Sequence, residues 1–200
     1  MRYSDIIVVV MAAGQSSRFG SDKRVAKLGN GETLLSSTLL TVQQCFTDIH
    51  IVIKPDDGIQ SLGLPSQTPT IISQHSHLGL GYSISDTFKQ LCSDKNMDNY
   101  RAAAIWLADL PWINRQTCSL LAGMATPDTI LQPSYRGELG HPVIFGTKFW
   151  KDLSQLKSPR GASSIIKRHS NSRVSVPVND PGVCSDIDYP IDILTSFKRS

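Results

Sequence analysis

From position 11 to position 23 the chain reads Met-Ala-Ala-Gly-Gln-Ser-Ser-Arg-Phe-Gly-Ser-Asp-Lys. The small residues Ala12, Ala13 and Gly14 leave backbone N–H groups bare to a ligand, and Arg18 and Lys23 bring two cations to the same stretch. Bare donors and mobile cations match the many oxygens of a polyphosphate. Two better-known phosphate loops are excluded. A Walker A loop needs Gly-Lys followed by Ser or Thr, and a dinucleotide fingerprint needs three glycines at set positions, where this run holds only Gly14 and Gly20. Further on, the apolar run 102–107 ends on Asp109-Leu110-Pro111 and so delivers a carboxylate.

Both features need elements to hold them. Ile6 to Met11 is β-branched and apolar, as a buried parallel strand requires, and the pattern from Leu34 to Phe46 follows a helical period. Ile49 to Ile53 and Pro69 to Ser73 read as strands, Gly81 to Leu91 as a helix, and Ala102 to Leu107 as a strand. Asn114 is placed to cap a helix over Thr117 to Met124. Beyond it, Thr129 to Gln132, Pro142 to Phe145 and Val174 to Val178 read as strands and Ala162 to His169 as a helix. Strands alternating with helices predict one α/β domain over 1–200, Rossmann-like and doubly wound on a mostly parallel sheet. Ligands of such sheets lie beyond the carboxyl ends of the strands, where Gly14 and Asp109 both fall.

Composition narrows the classes. With 200 residues, 40% of them hydrophobic and 18% charged, a packed core is expected and disordered, collagenous and coiled-coil readings fail. The net charge of +3 is gathered into no dense basic block, so nucleic acid is not an expected partner. Four cysteines, Cys45, Cys92, Cys118 and Cys184, stand singly, as reduced structural thiols do, and His75 and His77 lack a third ligand nearby. Trp106, Trp112 and Trp150 are assigned to packing. No apolar run approaches a bilayer-spanning length, and Asp5 before Ile6 argues against a secretory signal; no membrane partner and a cytoplasmic location are expected.

The first loop resembles the signature loop of nucleotidyltransferases, Leu-Ala-Ala-Gly-x-Ser-x-Arg-x-Gly-x-x-Lys, with Met11 in place of the leading Leu. Further likeness lies in 107–111, in Gly81-Tyr82-Ser83-Ile84-Ser85, in Tyr135 to Val143 with its Gly140-His141-Pro142-Val143 element, and in Asp186 to Asp192. Together these resemble the MobA-like NTP transferase family, in its molybdenum cofactor cytidylyltransferase (MocA-like) branch. The resemblance implies the nucleotide-diphospho-sugar transferase type of fold. It also implies attack of a phosphate monoester, a molybdopterin-type cofactor, on the α-phosphorus of CTP, with pyrophosphate leaving. Such a step needs charge neutralised and oxygens held in line, which positioned cations and Mg²⁺, or Mn²⁺ in its place, achieve.

On this resemblance Lys23, Arg18 and Asp109 are the catalytic candidates. Ala12, Ala13, Gly14, Ser17, Arg18, Lys23, Gly81 and Ser83 would bind the nucleotide, and Gly140 and His141 would face the acceptor. Magnesium takes oxygen ligands, one or two of them protein carboxylates, so Asp109 is the first metal candidate. Asp186 and Asp188, two apart with Ile187 turned to the core, could each complete the site, or instead cap a final helix. The stretch Arg24 to Thr33 departs from the family pattern and leaves the base open. GTP as donor or a sugar phosphate as acceptor is one rival reading. A non-catalytic carrier of nucleotide or cofactor is the other. A recipient molybdoenzyme is a further expected partner.

Overall fold

The structure, a computed structural model, describes residues 2–16 and 18–196, with only the backbone at Asp98 and at 194–196. Its strands are β1 (Tyr3–Met11), β2 (Phe46–Ile53), β3 (Thr70–Ile72), β4 (Ala102–Leu107), β5 (Ile130–Tyr135), β6 (Glu138–Leu139), β7 (Val143–Gly146) and β8 (Arg173–Pro177). Its helices are α1 (Leu34–Gln43), α2 (Leu80–Ser93), α3 (Arg115–Met124), α4 (Trp150–Ser154), α5 (Ser163–Arg168) and α6 (Pro190–Ser196).

These strands form one sheet in the order β3-β2-β1-β4-β7-β5-β6, with β8 pairing β5. The first half is parallel throughout: β1 lies between β2 and β4, and β3 adds beyond β2. In the second half β7 runs antiparallel to β4 and β5, while β8 runs parallel to β5. Alternation along β1 explains why its run is apolar on every residue. Ile6, Val8 and Val10 enter one core with Leu35, Leu39 and Val42 of α1 and Leu121 of α3. Ile7, Val9 and Met11 enter the other with Ile84 and Phe88 of α2 and Trp150 and Leu153 of α4. Both faces of the sheet are thus covered, as parallel strands require.

Three local expectations are corrected. Phe46 belongs to β2 and not to the first helix, because its fully buried ring starts the strand opposite Tyr3. Asn114 stands at the N-cap of α3, yet its side chain makes no cap; Asp180 accepts from the Asn114 N–H at 2.8 Å and the Thr117 hydroxyl at 2.7 Å instead. The final helix exists as α6, and the capping carboxylate is Asp192, which accepts from the N–H groups of Asp188 and Tyr189.

The register of β1 and β4 decides where the site forms. Met11 pairs with Leu107, so the loop after β1 and the Ala108-Asp109 step after β4 emerge side by side. A third, smaller core of Phe19, Leu28, Leu34 and Ile187 fastens the 186–188 segment against that same loop. No described helix is long and apolar enough to cross a membrane.

Candidate active site

The two strand ends open into a cleft of about 550 Å³. Ala12, Ala13 and Gly14 line it, as do Arg18 and Lys23 across the loop and Asp109, Asp186 and Asp188 on the far side. A Cβ at Gly14 would meet nothing within 4 Å, so the fold does not need glycine there for packing; its bareness serves the cleft. At the base of the loop Arg24 is 5% exposed, and its guanidinium donates to the Ala12 carbonyl, to both carboxylate oxygens of Asp57 and to Asp22. Burial opposes its charge, but the bonds to Asp57 and Asp22 outweigh that and raise its basicity further. Arg24 therefore braces the start and end of the loop to the turn after β2.

Lys23 and Asp109 meet directly, Nζ to Oδ2 at 2.5 Å. The same ammonium donates to the Ile187 carbonyl at 2.9 Å and lies 3.5 Å from Asp188 Oδ1. Asp188 Oδ2 in turn pairs with Arg18 at 2.5 Å. Ile187 is fully buried, and its N–H donates to the Asp109 carbonyl, which fixes Asp186 and Asp188 on the cleft side of the segment. Burial, followed by the nearby charges of Asp109 and Asp188, holds the Asp186 carboxyl above its ordinary pKa. Asp109 Oδ1 is buried with no hydrogen-bond partner.

Asp109 Oδ1 can therefore take a further partner, and the other groups gathered at Lys23, the Ile187 carbonyl and Asp188 Oδ1, are oxygens of the kind a hard divalent cation prefers. Among the described residues no three His, Cys, Asp or Glu side chains converge closely enough to hold a metal by themselves. A magnesium-type ion that draws the rest of its shell from phosphate and water fits such a half-built site.

Not every sequence candidate reaches the cleft. Ser83 lines it, but Gly81 does not: a Cβ there would drive into the Ser158 carbonyl, so this glycine serves the packing of α2 on the 158–161 loop. Gly140 likewise packs against the Val183 backbone. His141 lines a separate pocket of about 160 Å³ together with Gln132, Val143 and Arg160. Burial lowers its pKa, partly countered by the Ile105 carbonyl and Asp109, so the ring is neutral and makes a poor phosphate anchor. Ser17 lies outside the described residues.

Sequence reasoning missed the segment after β3. Ser76 to Leu80 forms one wall of the cleft, and the Gln15 side chain reaches the His77 carbonyl. Gly79, at φ +116° and against the Pro159 backbone, turns the chain into α2 where no other residue fits. That glycine before a helical pattern was the available signal. His75 pairs with Asp86 at 3.0 Å, and among the described residues neither it nor His77 belongs to a group of three or more His, Cys, Asp or Glu that could hold a metal.

The model of the MobA-like NTP transferase domain matches residues 8–174. Among solved structures the fold is shared by a homolog of Mycobacterium tuberculosis Rv0371c from Mycobacterium sp. strain JC1, 22% identical, TM-score 0.83, with both chains covered in full. It is shared by Rv0371c in complex with manganese from M. tuberculosis H37Rv, 18% identical over 98% of this chain and 100% of that one, TM-score 0.73. Molybdopterin-guanine dinucleotide biosynthesis protein A from Archaeoglobus fulgidus, 15% identical over 96% and 97%, gives a TM-score of 0.66. No curated protein matches the sequence.

Proposed function

The chain belongs to the MobA-like NTP transferase family, and from that premise we propose that it transfers CMP from CTP to a molybdopterin-type cofactor, releasing pyrophosphate. The observation that carries this reading is the meeting of Lys23 and Asp109, a cation of the amide-bearing loop and a carboxylate from the neighbouring strand, in one cleft. A loop of bare N–H groups with Arg18 and Lys23 suits the β- and γ-phosphates, which leave as pyrophosphate. An oxygen of the acceptor's phosphate forms the new bond to the α-phosphorus as the bond from that phosphorus to the β-bridging oxygen breaks. Both reactants are anionic, so the residues' work is to neutralise and align them; no protein nucleophile is needed.

A divalent cation, held by Asp109 with Asp188 or Asp186, would neutralise the α-phosphate and the departing charge. The manganese of the M. tuberculosis structure agrees with such an ion. The choice of CTP and of a molybdopterin acceptor rests on the Gly-His-Pro-Val and Asp-Ile-Asp-x-Pro elements at 140–143 and 186–190. The pocket of His141 adjoins the cleft across Leu80, which lines both, and we assign it to the acceptor. The reaction is proposed to run in the cytoplasm, with the product passed to a recipient molybdoenzyme.

The test is pyrophosphate release with Mg²⁺, CTP or GTP, and molybdopterin with or without molybdenum. Release from CTP that depends on the pterin is the expected result. Preference for GTP would overturn the base, release only with a sugar phosphate would overturn the acceptor, and nucleotide binding without any release would favour the carrier reading.

A further inference from the structure

Three oxygens from three residues converge on the Lys23 ammonium: Asp109 Oδ2 at 2.5 Å, the Ile187 carbonyl at 2.9 Å and Asp188 Oδ1 at 3.5 Å. They come from the step after β4 and from the segment before α6, and the third core holds the two together. An all-oxygen cage of two carboxylates and a carbonyl is the surrounding a hard divalent cation takes, and here a side-chain cation fills it. Asp186 stands outside this cage: no hydrogen bond or ion pair joins it to Lys23 among the described residues, whereas both oxygens of Asp188 are engaged, one by Lys23 and one by Arg18. Two cations cannot share the cage, because at a few ångströms in a partly buried site like charges repel strongly.

We propose that Lys23 is a resident stand-in for the divalent cation: it occupies the Asp109–Ile187–Asp188 oxygen cage while no nucleotide is bound, keeps the metal out, and yields the cage when a triphosphate draws its ammonium away. Metal and nucleotide then bind as a pair. The long, flexible lysine stem allows the exchange, since its charge is a mobile point rather than a fixed fork. Linkage makes the effect reciprocal, so the nucleotide strengthens metal binding by the factor with which metal strengthens nucleotide binding. The cage also selects Asp188 over Asp186 as the second metal carboxylate. The proposal rests on the cleft being a metal and nucleotide site, and on neither the base nor the acceptor.

The experiment is a Mn²⁺ titration of the nucleotide-free full chain, read from the electron paramagnetic resonance of free Mn²⁺. Lys23→Met should bind Mn²⁺ about tenfold more tightly than the wild type. Lys27→Met, which removes an exposed charge outside the cleft, should change nothing. Adding Asp109→Asn to Lys23→Met should abolish the gain. Lys23→Gln repeats the comparison should the Met variant fail to fold by circular dichroism. Equal affinity in Lys23→Met and wild type, or a gain that survives Asp109→Asn, would overturn the proposal. Because no transfer is measured, an absence of pyrophosphate release from CTP would sink the proposed reaction and leave this result standing.

Discussion

Asp109 closes a strand and touches Lys23, while its second oxygen is buried and unpaired, so its removal affects charge and geometry at once. Asp109→Ala should lower pyrophosphate release by on the order of 10²-fold or more, as the loss of one preorganised electrostatic group does, while CTP still binds weakly to the loop. Turnover equal to wild type in a continuous pyrophosphate assay would remove Asp109 from the mechanism. His141 gives a second residue-scale expectation. Burial lowers its folded pKa, whereas the unfolded chain titrates near 6.5. Below that value the unfolded state binds the extra proton first, so stability falls as pH drops through this window. Wild type should lose more melting temperature between pH 7.5 and 5.5 than His141→Gln; equal losses would contradict the buried neutral ring. Arg18, Lys23 and Asp109 could be named as candidates from residue type and spacing, whereas the sequence did not choose between Asp186 and Asp188. Arg24 could not be named, since its partner Asp57 stands 33 positions away and its burial has no local mark.

The elements matter here through how they dock. Parallel pairing of Met11 with Leu107 puts the loop and the carboxylate at one edge, and the pattern of apolar runs foretold both strands. Ile187 does a comparable task for the last segment, packed with Phe19, Leu28 and Leu34. Ile187→Ala should cost about 2–5 kcal/mol in urea unfolding, the range for truncating a buried isoleucine, and should weaken CTP binding because Asp188 and the carbonyl at 187 lose their seat. Unaltered stability and affinity would mean that the segment is held elsewhere. The helical period continued into Phe46, yet pairing with Tyr3 claimed that residue for the sheet, and β6 is too short to leave a periodic trace. The cap of α3 was expected at Asn114 because position alone was visible; the partner, Asp180, comes from a distant loop.

Across the whole molecule, helices on both faces of the sheet confine ligand space to its edge, which follows from apolar strands buried on both sides. Alternating strands and helices disclosed that architecture, but not that β7 runs against its neighbours β4 and β5, since periodicity carries no sign. The proposed chemistry requires one ligand spanning both strand ends. A crystal grown with CTP and Mn²⁺, measured for manganese anomalous scattering, should show the triphosphate against the amides of 12–14 and a manganese peak at Asp109 and Asp188. A manganese peak remote from Asp109, or a triphosphate seated away from that loop, would contradict it.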